Sequence, residues 1–213
     1  MIQLYNYYRS SASFRVRIAL NLKGLPYEAI PVHLVNNGGE QHSADYQAIN
    51  PQSLVPTLQT DDKTIAQSLA IIEYLDELHP TPPLLPNDHY LKAKVRAFAL
   101  AIAADMHPLN NLRVLNYLSN ELQISEAQKT AWYQHWIAKG FQSLENMLIN
   151  TQQTGDFCFG NTPTLADVCL VPQMYNARRY ACDLRAYPTL VRIDAHCQTQ
   201  AAFQDAAPLE APN

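Results

Sequence analysis

No C-x-x-C pair occurs in these 213 residues, and the four cysteines, Cys158, Cys169, Cys182 and Cys197, all fall in the second half at spacings of 11, 13 and 15. A dithiol redox centre and a thiolate zinc knuckle are therefore not encoded locally, and buried free thiols are the expected state. The 7 histidines, His33, His42, His79, His89, His107, His135 and His196, are scattered without an H-E-x-x-H, so no metal is expected. A G-x-S-x-G elbow, a P-loop and a G-x-G-x-x-G turn are also missing. No window is rich in Lys and Arg and the net charge is -4, which removes a general electrostatic grip on nucleic acid or an anionic membrane. No stretch reaches the roughly 18 apolar residues of a membrane span, and MIQLYNYYRSS has no basic leader, so a cytoplasmic protein is expected.

What is present is the composition of a soluble globular protein, 47% hydrophobic and 16% charged, long enough for two modest domains. Residues 2–7 suit a strand. SASFRVRIALNLK, residues 11–23, repeats Phe14, Ile18 and Leu22 at helical spacing and stops at Gly24 like a C-cap. Residues 27–34 read as a second strand, at an edge because of Pro31. After the polar loop NNGGEQHS, Val55-Pro56 leads into a short strand, and residues 63–68 give another beyond a turn at Asp61-Asp62. A helix then follows with Ser68 as a plausible N-cap. PTPPLLPND, with its clustered prolines, is the best linker, and everything beyond it reads helical. Helical stretches are expected at 88–118 interrupted by Pro108, at 126–149, at 164–180 opened by a Thr164/Asp167 capping box, and at about 188–197, before a loosely ordered PLEAPN tail. The expected division is a small α/β domain at 1–80 and an all-helical domain at 88–213.

Several polar groups stand at helix starts, and each has two readings. Ser10, Ser11 and Ser13 either cap the first helix or, with Arg9, form an anion or thiolate seat. Arg15 and Arg17 read as a solvated face. Gln67 and Ser68 precede the next helix, where they serve as a cap or grip a small carboxylate. An extended Val55 before Pro56 has the shape to pair with a peptide-like ligand. In DMHPLNNLR, His107, Asn110, Asn111 and Arg113 gather polar groups around Pro108, as an interhelical network or as a ligand site. Arg178-Arg179 either neutralises a dicarboxylate or forms a surface pair. With no nucleophile or metal of its own, such a chain points to an enzyme whose reactive group arrives with a cosubstrate.

YNYYRSSASFRVRIALNLKGLPYE, AINPQSLVPTL, IAQSLAIIEYLDE, DMHPLNNLRVLNYL and FCFGNTPTLADVCLVPQ together resemble the zeta class of glutathione transferases, essentially from end to end. The family signature is S-S-C-x-x-R-V-R-I-A-L, and Ala12 replaces its cysteine here. The resemblance implies a thioredoxin-like first domain that binds glutathione, a helical second domain for substrate and dimer contacts, and a homodimer. It gives catalytic roles to Ser10, Ser11 and Arg9, with Ser10 holding the glutathione thiolate. Gln67 and Ser68 would grip the γ-glutamyl end, and Val55, before a cis Pro56, the cysteinyl backbone. Gln52, His107, Asn111 and Arg113 would lie near the other end of the peptide. Arg9 and Arg179 would take the carboxylates of a small dicarboxylate-like cis-enoyl substrate. The implied reaction is glutathione-dependent cis–trans isomerisation, of maleylacetoacetate in tyrosine and phenylalanine breakdown, with maleylpyruvate or small α-halo acids as alternative substrates. The Thr164 to Asp167 cap matches a folding signature of the family and is structural. No nucleic acid or membrane partner is implied.

Overall fold

A computed structural model describes residues 1–61 and 63–208, with the backbone alone at residue 37; the rest of the Asp61-Asp62 turn and nearly all of the PLEAPN tail lie outside the described residues. The chain divides into two compact units, Met1–Leu84 joined by the segment from Gln200 on, and Leu85–Thr199. The expected split at 1–80 and 88–213 differs at the C-terminus, because the last helix packs on the first unit.

The first unit is built on a sheet of β1 (Ile2–Asn6), β2 (Tyr27–Pro31), β3 (Thr57–Thr60) and β4 (Lys63–Ala66), ordered β2-β1-β3-β4. β1 and β2 are parallel, and β1, β3 and β4 run antiparallel in turn. β2 is shorter than expected and ends on Pro31, which, lacking an N–H, is tolerated at this edge of the sheet. The parallel pair requires a crossover, supplied by α1 (Ser11–Leu22). α1 ends as the sequence predicts: Gly24 takes φ +63° and Leu25 N–H reaches back to Leu20 O at 3.0 Å. α2 (Ala44–Ile49) precedes β3, and α3 (Ser68–Leu78) follows β4. Leu4 and Leu58 from the central strands meet Phe14, Val16, Ile18 and Leu20 of α1 and Ile71, Ile72 and Leu75 of α3 in one buried core. This β-α-β-α-β-β-α order is the thioredoxin-like arrangement.

α1 is covered on a further side by α10 (Ala201–Gln204), with Asn21 Nδ2 donating to Ala202 O at 3.1 Å. Every residue from Ser11 to Leu20 is consequently buried. Lys23 closes the other end of the helix, where its ammonium donates to Asp76 Oδ1 and to the carbonyls of His79 and Pro82. One buried cation thereby ties α1 to α3 and to the proline-rich segment after it.

The second unit is all helical: α4 (His89–Leu100), α5 (His107–Leu109), α6 (Leu112–Asn120), α7 (Glu126–Ile149), α8 (Leu165–Arg179) and α9 (Pro188–Cys197). The stretch expected as one helix over 88–118 breaks earlier than Pro108. Ala101–Met106 winds as a π-helix, so that the break begins six residues before His107. α8 runs through the core with all residues from Leu165 to Met174 buried, against α4 and α9. Its start is organised by Asp167, fully buried, whose carboxylate accepts from Cys158 N at 2.7 Å, Thr164 N at 2.8 Å and Thr164 Oγ1 at 2.9 Å. Those bonds satisfy backbone donors that burial would otherwise leave orphaned.

None of the four cysteines is disulfide-bonded; three are buried and Cys182 is half-buried. Burial is the leading reason that Cys158, Cys197 and Tyr133 are pushed well above their usual pKa values. The native state therefore keeps protons that the unfolded chain releases, so stability is intact at neutral pH and is lost as pH rises past about 9. Urea unfolding of the protein should show roughly 1–3 kcal/mol lost between neutral pH and about pH 10. A flat profile over that interval would contradict the burial of these groups as protonated acids.

Candidate active site

The turn between β1 and α1 is fixed by a guanidinium. Arg17 Nε donates to Ala206 O at 2.9 Å, Nη1 to Asn6 Oδ1 at 3.1 Å, and Nη2 to Tyr8 O at 3.0 Å. Arg15 is also buried, and its Nη1 donates to Ser68 Oγ at 3.3 Å. The expectation of a solvated face for Arg15 and Arg17 is thus wrong. α1 has Phe14, Val16, Ile18, Ala19 and Leu20 around its whole circumference, and α10 covers the side that would have faced water. Desolvation draws the pKa of Arg17 from its usual value down to about 10, so it stays charged at neutral pH.

With the corner held, Ser10 stands at the N-cap of α1, where its Oγ accepts from Ser13 N at 3.2 Å. The capping alternative is therefore realised, and it does not exhaust the hydroxyl. An oxygen that accepts the helix N–H keeps its own proton to donate. Ser11 and Ala12 are buried in the first turn, and the buried Ser13 Oγ has no partner among the described residues. Arg9, just before Ser10, donates from Nε and Nη2 to Tyr7 Oη at 3.3 and 2.8 Å and lies over the ring of Tyr8.

The start of α3 forms a second polar group in the same unit. Ser68 is the first helical residue rather than the N-cap, because Gln67 occupies that position with φ +73° and makes no side-chain cap. A non-glycine residue in that region costs of order 1–3 kcal/mol, which the surrounding structure must offset. The first-turn N–H groups of α3 are left without a capping side chain, as an anion at a helix start requires. Gln67 Nε2 donates to Gln52 Oε1 at 2.9 Å, so the structure brings Gln52, Gln67 and Ser68 together. Gln52 N is in turn held by Asn50 Oδ1 at 3.0 Å.

The segment before β3 is held from beneath. Asn50 Nδ2 and Tyr46 Oη both donate to Leu54 O, at 2.8 and 2.6 Å, and both contact Thr57 Oγ1. Between these anchors the Val55-Pro56 peptide bond is cis, with Val55 half-buried and Pro56 buried. Sequence reasoning missed Tyr46, Asn50 and Tyr7; the one available signal was polar residues flanking the Val55-Pro56 and Arg9-Ser10 steps.

In the second unit, His107 opens α5 after the π-helix and is half-buried. Asn111 is the N-cap of α6, its Oδ1 accepting from Arg113 N at 3.1 Å, while the side chain of Arg113 is exposed. Asn110 Nδ2 reaches Tyr133 O of α7 at 3.2 Å, which realises the interhelical network for that residue. The neighbouring arginines of α8 differ. Arg178 pairs with the buried carboxylate of Asp194 at 2.6 Å and is structural. Arg179 is exposed over the ring of Tyr180, which stacks on Tyr133 at 3.6 Å. Among the described residues no cluster of His, Cys, Asp and Glu could hold a metal ion, and no helix is long and apolar enough to cross a membrane.

Residues 4–83 match the family described as glutathione S-transferase, N-terminal domain. A probable maleylacetoacetate isomerase of Vibrio cholerae is 51% identical over 210 residues, covering 99% of this chain and 97% of the relative. The holo structure of a bacterial zeta-class maleyl pyruvate isomerase superposes with TM-score 0.95 at 46% identity, covering 99% of each chain. A maleylacetoacetate isomerase of Methylobacterium extorquens, solved with bound malonate and glutathione, has TM-score 0.94 and 38% identity over 99% of this chain and 98% of its own. The chain belongs to the zeta class of the glutathione S-transferase family, in its group of glutathione-dependent isomerases.

The role of Arg17 is open to direct measurement. Arg17→Met leaves three oxygens without their donor and should cost roughly 3–5 kcal/mol in urea unfolding. Arg17→Lys should recover only part, since an ammonium cannot match a planar fork to three separated acceptors. Wild-type midpoints in both variants would remove Arg17 from the account.

Proposed function

We propose that the chain converts maleylacetoacetate to fumarylacetoacetate with glutathione as its cofactor, a step in tyrosine and phenylalanine catabolism. The observation that carries this reading is the pair of polar helix starts on one thioredoxin-like unit: Ser10 at α1, and an uncapped α3 beside Gln67 and Ser68. Together they fit a peptide thiol with a charged end group. The first unit is the glutathione-binding domain in this proposal, and the helical unit supplies substrate and dimer contacts in a homodimer.

Each residue has a physical task. The first-turn N–H groups of α1 and the Ser10 hydroxyl favour a sulfur anion over a thiol, without Ser10 taking the proton itself. Ser11 belongs to the same first turn. Gln67, Ser68 and the N–H groups of α3 take the γ-glutamyl carboxylate, with Gln52 orienting Gln67 through their 2.9 Å hydrogen bond. Val55, next to the pinned Leu54 carbonyl, offers its backbone to the cysteinyl residue, and His107, Asn111 and Arg113 serve the other end of the peptide. Arg9 and Arg179 take substrate carboxylates, and Arg9 also stabilises the negative charge that develops on the conjugated carbonyl. When bound, glutathione supplies the thiolate nucleophile whose reversible addition allows the cis double bond to turn. Ala12 removes the family's cysteine, so no protein thiol at this position is needed.

The 51% identity with the Vibrio cholerae protein supports maleylacetoacetate as substrate. Maleylpyruvate, which differs only beyond the ketone, is the second reading, supported by the 46% identity and 0.95 TM-score of the maleyl pyruvate isomerase. Turnover of small α-halo acids would draw on the same thiolate. Purified protein with glutathione is expected to give a higher kcat/KM for maleylacetoacetate than for maleylpyruvate; the reverse order assigns the second substrate, and no glutathione-dependent conversion of either ends the isomerase reading. Ser10→Ala should lower turnover roughly 10- to 1000-fold, the usual loss when a donor to a reacting anion is removed. Unchanged turnover in that variant would take Ser10 out of catalysis.

A further inference from the structure

Arg9 is oriented by an oxygen that carries no charge. Its Nε and Nη2 converge on Tyr7 Oη at 3.3 and 2.8 Å, and its guanidinium carbon is 5.1 Å from the centroid of the Tyr8 ring. Tyr7 itself has little freedom: it is 7% exposed and its ring meets His33 edge-on at 5.0 Å. His33 is fixed in turn, with Nδ1 accepting from Val35 N and Asn36 N at 3.3 and 2.9 Å and its backbone N–H donating to Glu40 Oε2 at 2.6 Å. Burial, the largest influence on Tyr7, raises its pKa, so the phenol stays protonated around neutral pH.

A neutral acceptor has a different consequence from a carboxylate. Arg178 meets the carboxylate of Asp194 at 2.6 Å, and its charge is largely cancelled within the fold. The Tyr7 hydroxyl fixes the direction of Arg9's fork and, being neutral, does not itself cancel its charge. An unheld arginine would lose several rotamers' worth of freedom on meeting a carboxylate, whereas one already aligned loses less.

We propose that Tyr7 is a positioning residue for substrate recognition, its hydroxyl holding the Arg9 guanidinium in the pose that receives one carboxylate of a dicarboxylate ligand. The inference rests on the reading of Arg9 as a carboxylate-binding group. Nothing in it requires Tyr7 to touch substrate or glutathione, so its effect must pass through Arg9.

Calorimetric titration of malonate into the glutathione-loaded protein tests this with four proteins: wild type, Tyr7→Phe, Arg9→Ala and the double variant. Tyr7→Phe is expected to weaken malonate about tenfold, the size of one charge-assisted hydrogen bond's loss. Glutathione affinity should stay within about twofold, and in the Arg9→Ala background Tyr7→Phe should have no further effect, since nothing remains to be positioned. Wild-type malonate affinity in Tyr7→Phe overturns the inference while leaving Arg9's role standing. Additive losses in the double variant, or a parallel loss of glutathione affinity, overturn it by showing a general structural effect. If wild type takes up no malonate, or Arg9→Ala takes it up as wild type does, the carboxylate reading of Arg9 falls and the inference with it.

Discussion

A buried guanidinium met by three neutral oxygens is the constraint on which the site depends. Arg17 gathers the end of β1 through Asn6, the following turn through Tyr8 O and the C-terminal segment through Ala206 O. Three separate pieces of chain are thereby tied to one residue of α1. Taking a charge out of water is expensive, and it is tolerated here because the planar fork satisfies three acceptors that burial would otherwise leave orphaned. With that corner fixed, Ser10 falls at the helix start and Arg9 beside it. The second polar helix start is linked to the same helix by Arg15, which donates to Ser68 Oγ.

Four of the basic residues fall into two physical groups. Lys23 and Arg178 meet buried or half-buried carboxylates, Asp76 and Asp194, and act as internal ties whose charge is matched within the fold. Arg9 and Arg17 donate to a phenol, an amide oxygen and carbonyls, neutral acceptors that align a guanidinium without themselves carrying the opposite charge. The first arrangement ties helices together; the second aims guanidinium groups beside α1, whose N-terminus already favours negative charge. Polarity is thus concentrated where an anion is expected, in a chain whose overall charge is -4.

Much of this architecture was legible in the sequence because it rests on local chemistry. Gly24 ends α1, Pro31 marks an edge strand, and Asp167 lies three residues after Thr164 at the start of α8. The quoted motifs carried the family, and with it the expectation of a cis Val55-Pro56 bond. What sequence reasoning misjudged depended on tertiary cover. Arg15 and Arg17 read as solvated until α10 is placed over α1, and that packing joins residues nearly the whole chain apart. Ser68 read as a cap because its neighbour's left-handed backbone is invisible to residue type. The π-helix before His107 was hidden for a similar reason: AIAADM is half alanine and has no Gly or Pro to mark a break, so residue type does not give the winding. Tyr7 escaped notice because an aromatic at a strand end is unremarkable until Arg9 folds back onto its hydroxyl.

The central claim is that the protein supplies an electrostatic seat for a borrowed sulfur anion at the start of α1, not a nucleophile of its own. Ultraviolet absorbance of the thiolate, followed through a pH titration of glutathione bound to the wild-type protein, tests it most directly. The account predicts a bound thiol that ionises below the ordinary thiol value of about 8.5 and moves back toward it in Ser10→Ala. A bound thiol that titrates like free glutathione in the wild-type protein would contradict it.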